Sequence, residues 1–307
     1  MKKAIVTGAN GFVGTAICRE LCERGTEVIA VVRNEEEDIS ALEGLEGLRI
    51  VYCDLSIFRD LPELIQDRDA DALYHLAWVG TAGPLRADEK VQIRNVQAVC
   101  DTVRAAKEMN CPRFVFASSI MEYEIAAVMA TEEKPGINTL YSSAKLAANY
   151  MARTIADSLG IDYIRAVISN IYGPGELSPR LVNTSLRKML KGERCSFSPG
   201  EQTYDFIYID DAAKAFAAIG EKGKADRTYY IGSEQPRPLK EFLTEMRDQV
   251  NPELEIGLGD LPFNGISLTY EEFDTGAVRR DTGFRPETEF PEGIRRTIAW
   301  LRDRGEA

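Results

Sequence analysis

The spacing of apolar residues changes period several times along the 307-residue chain, and each change predicts an element. Residues 2–7 run from charged to apolar through Ala4, Ile5 and Val6, as a strand buried on both faces does. Residues 15–24 then bring Ala16, Ile17 and Leu21 to one side of a helix. The alternation recurs, with strands at 27–32, 48–53, 71–76, 113–117 and 162–168 and helices at 61–67, 88–108 and 139–158. In the helix at 88–108, Val91, Val96, Val99, Val103 and Ala106 continue the apolar positions from end to end. Strand alternating with helix predicts an α/β chain with a Rossmann-type doubly wound parallel sheet.

Past residue 168 the rhythm loosens. Helices are expected at 181–190, 211–218 and 239–250, a strand at 228–231, and a strand at 204–209 that rejoins the main sheet. The chain thus divides into a dinucleotide-binding domain, 1–168 and 205–232, and a smaller discontinuous C-terminal substrate domain, 169–204 and 233–307. Residues 260–273, with Phe263, Asn264, Gly265 and Tyr270, are expected to loop over the pocket.

Between the first strand and first helix lie Gly8, Ala9, Asn10, Gly11, Phe12, Val13 and Gly14. A glycine turn between a buried strand and a helix suits a dinucleotide. It lets the chain reverse, lets backbone approach a pyrophosphate, and points the helix N-terminus at the phosphates. The spacing is G-x-x-G-x-x-G rather than G-x-G-x-x-G. Where the second strand ends, an acid would accept hydrogen bonds from a ribose 2′-OH, but Val32 and Arg33 stand there. Arg33 suits a 2′-phosphate, which favours NADP, while Glu35 in the acidic run that follows keeps NAD open. Asp54 and Leu55 close the third strand on the adenine side. Leu76 and the small Ala77 let the fourth pass close to the cofactor, and Trp78 opens towards substrate. His75, the only histidine, reads as a packed strand residue.

The net charge of −12 argues against nucleic acid or an anionic membrane as partner, and an anionic ligand would need its own local cations. No apolar run approaches the ~20 residues of a membrane span, and the strand-like start predicts a cytoplasmic protein. Cys18, Cys22, Cys53, Cys100, Cys111 and Cys195 form no C-x-x-C pair. Cys18 and Cys22 lie one helical turn apart, but no cluster with the single histidine is evident, so free thiols and no metal site are expected.

Tyr141 and Lys145 are i and i+4 on a helix, so phenol and ammonium share a face. An ordinary tyrosine holds its proton to a pH near ~10, and a close cation favours its phenolate. A tyrosine so tuned exchanges a proton with a carbonyl or an alcohol while a nicotinamide carries hydride. Ser119, at the end of the fifth strand, would bond the same oxygen.

These residues together resemble the extended short-chain dehydrogenase/reductases, in particular the NAD-dependent epimerase/dehydratase family that acts on nucleotide sugars. The resemblance spans essentially the whole chain. It rests on the glycine turn, Asp54, His75-Leu76-Ala77, Asn95, Ser118-Ser119, Tyr141 to Lys145, the run Asn170-Ile171-Tyr172-Gly173-Pro174-Gly175, and Asp205 to Asp211. It implies Tyr141 as acid/base, Lys145 on the nicotinamide ribose, Ser119 polarising the carbonyl, and Asn170 near the substrate's phosphate-sugar side.

The chain also departs from that family. The dehydratases' Thr-Asp-Glu is Ser119-Ile120-Met121 here, and Glu122, one residue late on an extended segment, would point away. A 4,6-dehydratase is therefore disfavoured. The family's Arg-Asp-Phe is Tyr204-Asp205-Phe206, so the phosphate clamp would pass to Arg180, Arg187 or Lys188 unless those are solvated helix residues. Trp78 and Met121 would face the substrate. The expected activity is that of a nicotinamide-dependent epimerase or 4-ketoreductase of a nucleotide sugar. An NADP-dependent reductase of a small ketone or aldehyde, and a non-catalytic NADP-sensing scaffold, are the alternatives. The helices at 88–108 and 139–158 are apolar on more than one face and predict a homodimer built on a four-helix bundle.

Overall fold

In a computed structural model describing residues 1–131, 136–137, 139–263 and 265–306, seven strands form one parallel sheet. In chain order the elements are β1 (Lys3–Thr7), α1 (Phe12–Glu23), β2 (Glu27–Val32), β3 (Leu48–Tyr52), α2 (Leu61–Leu64), β4 (Ala72–His75) and α3 (Glu89–Glu108). Then come β5 (Arg113–Ser119), α4 (Tyr123–Thr131), α5 (Thr139–Leu159), β6 (Asp162–Ile168), β7 (Asn170–Tyr172), α6 (Leu181–Leu190), β8 (Cys195–Phe197) and β9 (Thr203–Tyr204). The last are β10 (Phe206–Tyr208), α7 (Ile209–Lys222), β11 (Thr228–Ile231), β12 (Arg237–Pro238), α8 (Leu239–Val250), β13 (Ile256–Leu258), α9 (Ala277–Thr282) and α10 (Phe290–Asp303).

The sheet order is β11-β6-β5-β4-β1-β2-β3, the doubly wound arrangement that the alternation predicts. Side-chain alternation along each strand explains the two layers. Ala4 and Val6 of β1 join the core under α1 and α7, whereas Ile5 joins Val99, Val103, Ala148 and Ala152 of α3 and α5 on the other face. Thr7 lies opposite Val31 and His75, so the carboxyl ends of β1, β2 and β4 come level.

Three differences from the sequence expectation have local causes. The segment 204–209 does not rejoin the main sheet. It breaks at Asp205 into β9, which pairs with β12, and β10, which pairs with β7. Asp205 is fully buried, its carboxylate accepting from Tyr230 Oη at 2.8 Å and Ser233 N at 3.0 Å, while β11 already holds the place beside β6. The helix expected at 61–67 reduces to Leu61–Leu64, because the turn begins earlier as a 3₁₀ segment, Leu55–Asp60, capped by Asp54 through Ser56 N. The helix expected at 211–218 runs longer, over Ile209–Lys222. Of the expected pocket loop, Asn264 lies outside the described residues. No helix among the described residues is long and apolar enough to cross a membrane.

Candidate active site

The site begins at the β1–α1 turn. Gly8 has φ +68°, and a Cβ there would sit 2.8 Å from Ala77 N; a Cβ on Gly14 would sit 2.1 Å from Gly8 O. Side chains at either place would push strand, turn and helix apart. Gly11 caps α1 with no side-chain bond, leaving the first helical N–H groups open to a phosphate. A cavity of about 410 Å³ lies over this turn, lined by residues 10–14 with Leu76, Trp78, Ser119, Tyr141 and Lys145. It shares Gly8, Asn10 and Trp78 with a second of about 260 Å³, lined by Arg33, Glu37, Leu55 and Ala77. The two together suit a dinucleotide, with pyrophosphate at the helix N-terminus and a nicotinamide beside Tyr141.

Arg33 does not stand alone at the ribose end. Its Nε donates to Glu37 Oε1 at 2.6 Å, and Asn10 Nδ2 reaches Glu37 Oε2 at 3.3 Å. Glu37, in the acidic run after Arg33, is therefore part of the cavity wall. Asp54 spends its carboxylate on Ser56, whose hydroxyl holds it below the usual carboxylate range; its neighbours Cys53 and Leu55 line the adenosine side.

β5 delivers Ser119, and α5 delivers Tyr141 and Lys145, into the first cavity. Tyr141 is buried and lines the cavity together with Ser119. Contrary to expectation, the phenol titrates above its ordinary value, because burial outweighs the pull of the Ser119 hydroxyl and the charges of Arg180 and Arg86. Lys145 Nζ instead donates to Ala117 O at 2.9 Å and lies 3.8 Å from the Trp78 ring centre. Burial brings this ammonium down to about 7. Trp78 meets Tyr141 edge-on at 6.0 Å. His75 is a packing residue, stacked between Phe114 and Phe116, and burial lowers it to about 3.

The segment after Ser119 is a 3₁₀ turn, Ile120–Glu122, rather than extended. Glu122 is turned inward, accepting from Ser118 Oγ and from Arg165 Nη2 at 2.6 Å. Met121 faces a neighbouring cavity of about 560 Å³ with Arg86 and Glu124. Asn170 lies apart from Tyr141, in a cavity of about 450 Å³ with Tyr204, Ser196, Ser198 and Phe263. Its amide donates to Asp205 O at 3.0 Å. Arg180 lines this cavity, the first and the one at Met121, with Nε 3.2 Å from Glu176 Oε2. Arg187 is bound to Glu306 instead.

Two residues, Gln92 and Arg86, escaped the sequence reading. Gln92 donates to Gly80 O and Leu85 O and accepts from Trp78 Nε1, and Asn95, one turn on, brackets the Val79 backbone at 2.8 and 3.0 Å. Their i, i+3 spacing on one face was the available signal. Arg86 gave none, because its place depends on the fold of the loop after β4. Among the described residues no group of three or more His, Cys, Asp or Glu side chains could hold a metal ion, and all six cysteines are unpaired.

Known proteins resemble the chain over most of its length. The chain is 22% identical to dTDP-glucose 4,6-dehydratase of Salmonella typhimurium, over 97% of this chain and 92% of the relative. It is 25% identical to UDP-glucuronate 4-epimerase 4 of Arabidopsis thaliana, over 96% of this chain and 74% of the relative. The crystal structure of the Bordetella bronchiseptica enzyme WbmF in complex with NADH superposes with a TM-score of 0.82 at 20% identity, covering 98% of this chain and 92% of that one. Residues 4–232 match the NAD dependent epimerase/dehydratase family, and the chain belongs to that family.

Proposed function

We propose that the chain is an NAD-dependent 4-epimerase of a nucleotide sugar. The observation that carries this is the place of Ser119, Tyr141 and Lys145 where the dinucleotide cavity meets, through Arg180, Ile171 and Glu176, the cavity holding Asn170 and Tyr204. The nucleotide would lie in the latter, its diphosphate against Arg180 and its sugar beside Tyr141. The bound nicotinamide supplies a hydride acceptor and donor. Tyr141 takes the proton of the sugar hydroxyl and returns it after the ketone has turned over, while Ser119 holds the oxygen and Lys145 faces the cofactor side. A dehydratase needs a free acid beside the tyrosine. Ile120 and Met121 offer none, and Glu122 is committed to Arg165. The test is incubation of NAD-loaded protein with UDP-glucuronate, UDP-glucose and UDP-N-acetylglucosamine. The C4 epimer without net NADH supports the reading; consumption of NADPH by a 4-keto sugar supports a reductase, and loss of water a dehydratase.

The pairing of Arg33 with Glu37 supports NAD as the cofactor over the NADP that Arg33 alone favours. A 2′-phosphate beside Arg33 would meet the Glu37 carboxylate, which occupies the guanidinium and repels an anion. Glu37→Gln is expected to narrow the NAD-over-NADP binding ratio about tenfold, or about 1.4 kcal/mol, in paired calorimetric titrations.

The homodimer reading draws support from exposed Ile93 on α3 and Tyr150 and Met151 on α5, which leave an apolar face uncovered. Light scattering at micromolar concentration is expected to give twice the chain mass, and Ile93→Glu with Tyr150→Glu to give the single mass.

A further inference from the structure

Three cations surround Tyr141, two lining its cavity and one over its ring, and they are not equivalent. Lys145 is tied to Ala117 O and the Trp78 ring, and burial strips its proton near neutral pH. Arg180 is paired with Glu176 at 3.2 Å. Arg86, in the short 3₁₀ turn Pro84–Ala87, is different. Its guanidinium centre lies 4.4 Å from the Tyr141 ring centre, and among the described residues it forms no ion pair within 4.0 Å, although it feels the charge of Glu124, which lines the same cavity. A guanidinium keeps its charge at every working pH.

We propose that Arg86 is the positioning residue that readies Tyr141 for proton transfer, its guanidinium seated on the ring face so that phenolate is favoured over phenol. This rests on the reading of Tyr141 as the acid/base. The physical ground is that a ring gains electron density on losing the phenolic proton, so a cation on its face binds the anion more strongly than the neutral ring. The tyrosine is buried, so solvent screens this little. The other groups facing it are Ser119 and Glu122 from the turn after β5, Arg180 from the α6 cap, Lys145 from its own helix and, through Ser142, Glu124 of α4. Glu122 opposes the phenolate, and its ion pair with Arg165 limits how much.

The turn that carries Arg86 is fixed. Arg86 Nη1 donates to Thr81 O at 3.3 Å, and Gln92 Nε2 holds Leu85 O at 3.0 Å. The same Gln92 amide accepts from Trp78 Nε1 at 3.0 Å, so one side chain on α3 sets both the platform under Lys145 and the turn behind Arg86.

The test is a pH titration of the near-ultraviolet phenolate band in NAD-loaded protein, each variant paired with its own Tyr141→Phe double so that only Tyr141 is read. It needs no sugar, so it succeeds or fails independently of the epimerase assay. Arg86→Gln is expected to raise the Tyr141 midpoint by about one pH unit, a tenfold loss of phenolate at any pH below it. Arg86→Lys is expected to stay near the native midpoint. Should Arg86→Gln titrate like the native protein, or Arg86→Lys move as far as Arg86→Gln, the charge is not what matters and the proposal falls. It falls equally if native Tyr141 shows no phenolate below the pH of alkaline unfolding.

Discussion

Tyr141→Phe is expected to slow epimerisation about a thousandfold while leaving the fold and NAD affinity unchanged, the middle of the range for loss of a positioned acid/base. The substitution removes one oxygen. The ring keeps its edge contact with Trp78 and its place under Arg86, so the cavity walls stay where they are. What disappears is the oxygen that, beside Ser119 in the same cavity, takes and returns the proton in the proposed reaction. Water cannot replace it readily, because the phenol is only 6% exposed. The measurement is a progress curve of C4 inversion by native and variant protein at saturating nucleotide sugar, with NAD binding followed separately. A variant within tenfold of native would remove Tyr141 from the chemistry. Because burial holds the unliganded phenol above its ordinary value, native kcat/KM should rise with pH as phenolate forms, and the cofactor's positive ring should bring that rise to lower pH.

The sheet was legible because its residues obey one local rule each. Ala4, Ile5 and Val6 are buried on both faces, and the stripe through Val96, Val99 and Val103 has one periodicity and one partner layer. The glycine turn was legible for the same reason: Gly8 and Gly14 answer to close contacts within the turn and with the neighbouring strand end. Other features were not local. Whether 204–209 joins the sheet depends on Asp205 meeting Tyr230 and Ser233, more than twenty residues away. That Arg33 is spoken for depends on how the acidic run folds back to place Glu37 against Asn10. The pairing of Tyr141 with Lys145 was visible as spacing, yet spacing says only which helix face two side chains share. Which cation addresses the ring is decided by Ala117 O, the Trp78 indole and a loop ending at Arg86.

Arg165→Met is expected to cost about 3–5 kcal/mol of stability, because it strands a buried charge. The Glu122 side chain is 0% exposed and that of Arg165 15%, and they meet at 2.6 Å. Arg165 Nε also donates to Ser118 Oγ at 3.0 Å, and Ser118 in turn donates to Glu122. Methionine fills much of the same volume, so the loss would come from the unpaired carboxylate and not from a cavity. Glu122→Gln combined with Arg165→Met should therefore recover most of the loss, which a cavity explanation does not allow. Chemical denaturation of the three variants with unchanged m-values reads the difference directly. The same pair anchors the turn that begins at Ser119, through the capping box in which Ser119 N donates to Glu122 Oε1 at 3.3 Å. Stability and catalysis are thus expected to fall together in Arg165→Met and to return together in the double variant, since the Glu122 carboxylate that Arg165 pairs with also caps the turn that begins at Ser119.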